Sequence, residues 1–486
     1  MDDIESFAWV LGLMAGSVLL AVAANRISDR IRMPAPAVFL VVAALVADVF
    51  PQLADLPINV SERIVTVALI FILFDGGINI GWKRFRTAAA AVVWIGVGGT
   101  IVTAGALAVA AHLLFGFGWN TSLLIGAALS PTDPAVVFSV LGGRQISGRS
   151  GTILEGESGA NDPVGIALMA VLIGTTGSGF SAVAAGLGEF ALQMAVGVAV
   201  GVVGGLGLAR LMRLPLPNES LYSIRTAAAA VVIYAAATLL LGSGFLAVLV
   251  AGILIGDVRA PYKREVERFA SGLSGLAEIV AFTVLGLTIS FREALATNVL
   301  WVGLALSAIL ILVIRPVLVG LLTAGIGLAV GERAFVLWAG LKGAVPILLG
   351  TYILANGGPD ARRVYEIVFI VVLVSVLVQG SLVPTFARLF KVPMKVVEQR
   401  PWGLDLRFAD EPGGVYRCVV SPGSVAEGTT VAELDIGDDA WINMIRREGQ
   451  LLQTRGDTTL RAGDELLLQA EPESDLQQLF RGPPAP

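Results

Sequence analysis

The sequence is poor in charge, cysteine and histidine. Of its 486 residues only 15% are Asp, Glu, Lys or Arg, whereas 56% are hydrophobic. A soluble enzyme of this length would carry far more charge. The single cysteine, Cys418, excludes an intramolecular disulfide and gives no metal-cluster signature. Composition therefore excludes a large soluble protein and a disulfide-stabilised one.

What the chain has instead is long apolar runs. A mean hydropathy of +0.81 and runs of about 20 apolar residues are typical of an all-α polytopic membrane protein. The N-terminus has no basic region, so we expect the first run to be a retained helix and not a cleaved signal peptide. Thirteen transmembrane helices are predicted, at 7–25, 34–50, 63–80, 87–115, 119–141, 152–174, 180–212, 221–241, 243–257, 272–291, 298–328, 333–355 and 364–389.

The basic residues between these segments predict an orientation. With the N-terminus outside, the inward loops carry 16 Lys and Arg and the outward segments carry 4. Cytoplasmic loops are enriched in Lys and Arg. The sequence therefore predicts a plasma membrane protein, in bacterial terms an inner-membrane one, with its C-terminus in the cytoplasm.

The last part of the chain differs in character. Residues 395–486 hold 9 Lys and Arg and 16 Asp and Glu. Short β-like runs at Tyr416–Val420 and Leu466–Ala470 and a helix-like run at Asp438–Glu448 predict a small cytoplasmic α+β domain. We therefore divide the chain into a transmembrane domain at 1–394, a cytoplasmic domain at 395–480 and a disordered tail at 481–486.

Two of the predicted helices are interrupted. Helix 5 contains Ser130–Pro134, with two prolines, and helix 12 contains Gly340–Pro346. Membranes tolerate such breaks only where protein buries them or where they line a cavity. The two helices are seven apart, so they fit matching places in two inverted repeats, the arrangement that points to a transport site at the membrane midplane. The alternative is that the prolines merely kink both helices.

Ionisable residues inside the apolar segments are few and costly, which marks them as functional. Thr132-Asp133 and Asn161-Asp162 offer carboxylate, hydroxyl and amide oxygens, which suit an alkali cation. A proton and a cation would compete for such a buried carboxylate, which is the minimum mechanism of an exchanger. These ionisable residues are Asp75, Asp133, Glu157, Asp162, Glu278, Arg315 and Lys342.

Three of these residues allow two interpretations each. Asp75 either lines the cytoplasmic funnel or caps a helix break at Gly76-Gly77. We expect Glu278 and Arg315 to pair with each other, because an unpaired buried charge is unfavourable. A direct transport role for both is the alternative.

A hydrolase is the tempting misreading of Gly156–Gly159, which faintly resembles a serine nucleophile loop. A serine nucleophile needs an activated base, usually histidine. The only histidine, His112, is predicted at the opposite side of the membrane, where an interfacial anchor is the preferred role. The chain is therefore not expected to be an enzyme.

Together these residues resemble the monovalent cation:proton antiporters of the NhaP type. The likeness spans helices 3–13, and the motifs of helices 5 and 6 together are highly specific. It rests on Leu73–Gly77, Ser130–Pro134, Gly156–Asp162, Arg315-Pro316 and Gly340–Pro346.

The resemblance implies roles for individual residues. Asp162 is the aspartate that alternately carries a cation or a proton, and Asp133, Thr132 and Ser158 complete or orient the cation site. Asn161 stands where electrogenic relatives have a second aspartate, which implies electroneutral one-for-one exchange.

The resemblance also implies an ion pair. Glu157 and Lys342 match a buried pair that holds helices 6 and 12 together, although the family usually has Arg at the Lys342 position. Lysine loses the bidentate geometry of arginine and shifts its pKa more readily when buried.

The tail resembles the C-terminal subdomain of RCK (TrkA-C) modules, through Gly428–Leu434, Ile445–Gly449 and Arg461–Leu468. No Gly-x-Gly-x-x-Gly pattern occurs in the tail, so NAD or ATP binding is not supported and no cofactor is expected. The tail is either a dimerising regulatory domain with a small-molecule effector or an inert packing domain. The resemblance favours potassium, because such domains accompany potassium systems.

The sequence thus predicts a homodimeric antiporter in membrane lipid that exchanges K⁺ or Na⁺ for H⁺, with no nucleic-acid partner. A gated cation channel with a regulatory domain is the alternative. Channels need a selectivity filter, and a Thr-Val-Gly-Tyr-Gly-like loop is absent from the sequence.

Overall fold

The fold was obtained as a computed structural model. It describes residues 34–50, 57–141, 144–146, 148–174, 180–289, 298–357, 360–396, 415–437, 440–448, 450–470 and 479–480, with positions 12, 16, 19 and 292. These residues form two compact units, one α-helical and one made of β-strands.

The helical unit contains sixteen α-helical segments in its described residues, several of which follow one another within one span. Three π-helical segments lie at Trp94–Gly99, Leu310–Val319 and Ser375–Gly380, each directly after an α-helix. The helices are α1 Ala35–Val49, α2 Ile58–Val93, α3 Thr100–Phe115, α4 Trp119–Leu129, α5 Ala135–Leu141, α6 Arg149–Gly174, α7 Phe180–Leu211, α8 Glu219–Leu239, α9 Gly244–Gly256, α10 Lys263–Leu287, α11 Val299–Ile309, α12 Gly320–Thr323, α13 Val330–Trp338, α14 Ala344–Asn356, α15 Ala361–Val374 and α16 Ser381–Leu389.

Twelve of the thirteen predicted spans overlap these helices, and the span predicted at 7–25 lies outside the continuously described residues. Within the described ranges, six helical stretches are long and apolar enough to cross a membrane. The fold is therefore mostly helical, as predicted, while the count of thirteen spans and the inverted repeats stay predictions. The six stretches are Ile58–Phe115, Ala184–Leu211, Glu219–Leu239, Lys263–Leu287, Val299–Thr323 and Ala361–Leu389.

Helix α2 bends sharply at Gly81, which separates two of the predicted spans. Gly81 has φ +65°, a backbone conformation that glycine adopts without steric cost. The Asp257 carboxylate accepts a hydrogen bond from the Lys83 N–H at 2.6 Å just beyond the bend. It thereby satisfies one of the backbone donors that the start of a helix leaves without a partner.

Glycines let α2 and α9 approach closely. A Cβ on Gly77 would lie 2.6 Å from the Leu249 carbonyl oxygen, and one on Gly252 would lie 2.5 Å from the Phe74 carbonyl oxygen. Inside a membrane the hydrophobic effect does not drive helices together, so they associate through close backbone contacts at small residues. This contact holds the first part of α2, which carries Asp75, firmly against α9.

A two-stranded ribbon joins the α5–α6 connection to the end of the helical unit. Strand β1, Arg144–Ile146, pairs antiparallel with β2, Met394–Val396. The predicted domain boundary after residue 394 therefore falls inside β2, which belongs with the helices. The buried Ile146 faces Met394 in this ribbon.

The second unit is a four-stranded antiparallel sheet in the order β3-β6-β4-β5. The strands are β3 Val415–Val419, β4 Trp441–Arg447, β5 Gln450–Leu452 and β6 Glu465–Gln469. The β-like runs at Tyr416–Val420 and Leu466–Ala470 are thus confirmed to within one residue. The core of the sheet includes Val420, Ile445 and Leu466, all fully buried.

The helix predicted at Asp438–Glu448 is wrong, since Trp441–Arg447 is a strand. Ile442 and Met444 are buried whereas Trp441 and Asn443 are exposed, which is the alternation of a half-buried strand. A register shift between Ile442 and Met444 then buries the adjacent Ile445 as well. Within the described part of the tail the unit contains strands and no α-helix, so the predicted α+β class becomes a small β-domain.

Candidate functional site

The first helix break separates α4 from α5. Helix α4 ends at Leu129, and Ser130–Pro134 is not helical before α5 begins at Ala135. Pro131 and Pro134 have no N–H to donate, so the helical ladder cannot run through them. The break leaves carbonyl groups of the last α4 turn without helical partners.

The second break separates α13 from α14 and contacts the first. We call this point of contact the crossing. Helix α13 ends at Trp338, and residues 339–343 are not helical before α14 begins at Ala344. The Asp133 N–H donates to the Leu341 carbonyl at 2.8 Å, so the two interrupted segments are hydrogen-bonded to each other. A Cβ on Gly343 would overlap the Asp133 carboxylate, which explains glycine at this crossing.

Lys342 neutralises the C-terminal end of α4. Its side chain is 1% exposed, and Nζ donates to the carbonyls of Ser130 at 3.0 Å and Pro131 at 2.9 Å. A cation at a helix C-terminus is stabilised by the helix dipole and satisfies carbonyls that have no helical partner. Lys342 therefore binds one broken helix to the other.

Helix α6 runs past both breaks and is joined to the first by Asn161. Asn161 Nδ2 donates to Thr132 Oγ1 at 2.6 Å, and its Oδ1 accepts from the Thr132 N–H at 3.2 Å. Both partners are buried. These two bonds orient Thr132 and place the next α6 residue, Asp162, beside the crossing.

Asp162 is buried, with 7% of its surface exposed, and its Oδ1 has no hydrogen-bond partner among the described residues. A buried carboxylate oxygen without a partner is costly unless it holds a proton or a cation. This atom is the feature of the site that most directly indicates ion exchange.

The carboxylate faces a cavity of about 680 Å³. Helices α2, α6, α9, α10 and α14 line it, together with the first helix break. The cavity therefore brings together five of the predicted site residues, while Thr132 and Asn161 are not among its lining residues. The five are Asp75, Asp133, Ser158, Asp162 and Glu278.

Asp75 lines this cavity and also bonds to α10. Its Oδ1 accepts a hydrogen bond from Ser271 Oγ at 2.8 Å. Helix α2 continues through Gly76-Gly77, so the alternative role of Asp75 as the cap of a helix break there is wrong.

The two predicted ion pairs are wrong in their partners. Glu157 Oε1 accepts from Arg315 Nη2 at 2.8 Å, with both side chains 4% exposed, and not from Lys342. The same arginine donates to the Leu337 carbonyl at 2.8 Å. Arg315 is thus held at Glu157 and does not pair with Glu278.

Sequence reasoning missed two polar residues that hold the second break. The Lys342 N–H donates to Ser375 Oγ at 2.9 Å, and Ser375 Oγ donates to Gln379 Oε1 at 2.9 Å. Both side chains are 1% exposed. Their signal was present, because two polar residues four apart inside the apolar run 364–389 occupy one helical face.

Within the described ranges, no group of three or more His, Cys, Asp or Glu side chains is arranged so that it could hold a metal ion. The site offers carboxylates and hydroxyls, whose oxygens suit a hard monovalent cation as a substrate.

Comparison with protein families agrees with this geometry. The profile of the transmembrane sodium/hydrogen exchangers matches residues 16–389. The chain belongs to the sodium/hydrogen exchanger family. A TrkA-C domain profile matches residues 415–481, which confirms the predicted likeness of the β-domain. As a member of a cation/proton antiporter family the chain is a transporter and not an enzyme, and the channel alternative is not favoured.

Individual relatives of this exchanger are similar over nearly all of its length. The K(+)/H(+) antiporter NhaP2 of Shewanella sp. (strain MR-4) is 34% identical, over 99% of this chain and 84% of its own. The K(+)/H(+) antiporter NhaP of Alkalimonas amylolytica is 31% identical, over 96% and 82%. These similarities confirm the predicted NhaP-type resemblance.

The fold also resembles a solved exchanger. The sodium proton antiporter MjNhaP1 from Methanocaldococcus jannaschii superposes with a TM-score of 0.67 at 20% identity, covering 81% of this chain and 100% of that one. The similarity supports the fold alone.

Proposed function

We propose that this protein is a secondary active antiporter that exchanges a monovalent cation, K⁺ or Na⁺, for H⁺ by competition of the two ions for Asp162. The observation that carries the proposal is the buried Asp162 Oδ1, which lacks a partner in the described residues and belongs to a side chain that lines the cavity. Either a proton or a bound cation would satisfy this oxygen, and binding of one excludes the other.

The cation would be held by oxygens around Asp162. We assign Asp162, Asp133, Thr132 and Ser158 as cation ligands or their immediate support. Asp133 and Ser158 line the same cavity as Asp162, and Thr132 is oriented by Asn161. Oxygen donors of this kind replace the hydration shell of an alkali cation.

Exchange would be electroneutral, one cation for one proton. Asn161 cannot carry a proton, and both ends of its amide are bonded to Thr132. Replacing Asn161 with Asp adds a second titrating carboxyl and should make transport electrogenic. Current recorded on a supported membrane after a cation jump tests this, with no current expected from the wild type. Sustained current from the wild type would contradict the proposed stoichiometry.

Alternating access would come from two inverted repeats that contribute the crossed breaks of α4/α5 and α13/α14. We place the N-terminus outside and the C-terminus in the cytoplasm. The cavity lining includes Arg84 and Ile146, which lie at loops predicted to be cytoplasmic from their basic residues. The conformation therefore corresponds to an inward-facing state.

Potassium is the favoured cation. The relatives from Shewanella and Alkalimonas are named K(+)/H(+) antiporters, and TrkA-C domains accompany potassium systems. The superposed archaeal protein is named a sodium proton antiporter, so Na⁺ is the alternative substrate. We also propose a homodimer in the bacterial inner membrane, with residues 395–480 as a regulatory domain for a small-molecule effector.

Purified protein in proteoliposomes tests the function directly. With an imposed pH gradient and a pH-sensitive dye, adding K⁺ or Na⁺ should restore fluorescence, and a potassium clamp should not change the rate if exchange is electroneutral. Asp162→Asn should abolish exchange while the protein remains monodisperse. Asp435→Asn, the same change at an exposed position of the β-domain, is the matched control. Robust exchange by Asp162→Asn would refute the site.

A further inference from the structure

Glu278 lies in the cavity but has no role in the exchange just described. It is on α10, and its Oε1 is buried without a hydrogen-bond partner among the described residues. The titratable groups that share the cavity lining with it are Asp75, Asp133 and Asp162, with Glu155 and Arg84 also present. Glu278 is therefore a second buried carboxyl among the residues that line the cavity with Asp162.

The bases of the helical unit that lie near the site are bound elsewhere. Arg315 pairs with Glu157 at 2.8 Å, and Lys342 Nζ donates to two carbonyls. Arg84, which lines the cavity, pairs with Glu155 at 3.0 Å. A structural ion pair thus does not account for Glu278 within the described residues, and a charge left alone at this depth is unfavourable.

A polar face of α10 leads to Glu278. Glu267, Ser271, Ser274 and Glu278 follow at intervals of four, three and four residues, which places them along one side of the helix. Ser274 lines the cavity, and Ser271 Oγ bonds to Asp75. Polar side chains along one face allow water to reach a carboxyl that the surrounding apolar helices would otherwise exclude.

We propose that Glu278 is the proton-relay residue of the cavity, passing protons between Asp162 and cavity water. When a cation reaches Asp162, the O–H bond of the Asp162 carboxyl breaks and its proton moves through water to the Glu278 carboxylate, where a new O–H bond forms. The cation then neutralises Asp162, and Glu278 releases its proton to cavity water. Proton and charge balance at each step, and the reverse sequence reloads Asp162.

The relay has a physical advantage over direct release. An incoming cation and a departing proton would otherwise occupy the same small space beside Asp162, where two positive charges repel each other strongly in a low dielectric. Moving the proton to a carboxylate on another helix, α10, places it outside the proposed ligands of the cation. This inference rests on the proposed exchange at Asp162.

Glu278→Gln tests the relay, because glutamine keeps the shape and cannot carry the proton. The maximal exchange rate in proteoliposomes should fall by about a hundredfold or more, the low end of what positioned proton-transfer groups contribute. The pH profile of exchange should also lose one titration. Glu278→Asp should recover part of the rate. Glu265→Gln, the same change in the first turn of α10 and outside the cavity lining, should behave as the wild type.

Two outcomes for Glu278→Gln would overturn the relay. One is a wild-type rate and pH profile. The other is a loss of rate that is equal at every pH, which would indicate a packing defect. Failure of the relay can be distinguished from failure of the proposed function, because only robust exchange by Asp162→Asn would refute the proposed function.

Infrared difference spectra of the folded wild type give a second measurement that does not depend on how Glu278→Gln folds. In spectra resolved in time after a jump in Na⁺ or K⁺ concentration, one protonated-carboxyl band should disappear, from Asp162, and another should appear transiently, from Glu278, before that proton is released to water. Loss of a band without a transient gain would overturn the relay.

Discussion

Neutralising Glu157 tests which base it pairs with inside the membrane. Arg315 Nη2 lies 2.8 Å from Glu157 Oε1, while Lys342 Nζ donates to backbone carbonyls of the first helix break. A double-mutant cycle separates these two partners, because it measures the interaction between two chosen residues. We expect strong coupling between Glu157 and Arg315 and much weaker coupling between Glu157 and Lys342.

The magnitude follows from burial. Removing one member of a buried ion pair costs about 3–5 kcal/mol, because the other charge is left uncompensated. Arg315 keeps bonds to the carbonyls of Leu337 at 2.8 Å and Val336 at 3.3 Å. Glu157→Gln should therefore fall at the low end, about 3 kcal/mol. Combining it with Arg315→Met removes both charges, so about 2 kcal/mol of that loss should be recovered as coupling energy.

Thermal unfolding in detergent measures the cycle. Glu157→Gln, Arg315→Met, Lys342→Met and the two double variants are compared by the fraction that remains monodisperse after heating. The double variant of Glu157 and Arg315 should be less destabilised than the sum of its single variants. The pairing would be refuted by coupling of Glu157 to Lys342 as large as its coupling to Arg315.

Two further predictions concern the crossing and the β-domain. Gly343→Ala should abolish exchange in proteoliposomes, because its Cβ would overlap Asp133, whereas Gly272→Ala has open space and should stay active; full activity of the former would contradict the crossing. In the β-domain, burial opposes ionisation of Asp464, but hydrogen bonds from Arg447 and from a backbone N–H hold its pKa below the ordinary 3.8. The stabilisation is thus complete above that pH and lost as pH falls through the lower folded value. Asp464→Asn should lower the free energy of unfolding of the domain at pH 7 by about 1–2 kcal/mol, seen as greater sensitivity to protease, and the difference from wild type should vanish in strong acid. A difference that persists there would refute the charge-based explanation.

Much of the helical unit could be predicted because the membrane restricts the choices. An apolar run of about 20 residues must satisfy its backbone hydrogen bonds internally in lipid, which favours a helix. The spans and their breaks can therefore be predicted from the sequence. The interruptions at Ser130–Pro134 and at 340–343 follow from proline and glycine alone. The secondary structure of the β-domain was harder to predict. Asp438–Glu448 mixes polar and apolar residues, and over only seven residues the alternation of a strand is hard to distinguish from the periodicity of a short helix. Pairing with β6 decides it in favour of a strand.

The sequence by itself determined that this chain spans a membrane, that two of its helices are interrupted, and that carboxylates stand at those interruptions. Local chemistry accounts for all three, because hydropathy, proline and charge act through neighbouring residues. Only the tertiary structure decided the partners. Arg315 binds Glu157, Lys342 binds the carbonyls of Ser130 and Pro131, and Glu278 is left facing the cavity. The choice of partner depends on which side chains the helix packing brings within about 3 Å, and sequence spacing does not contain that distance.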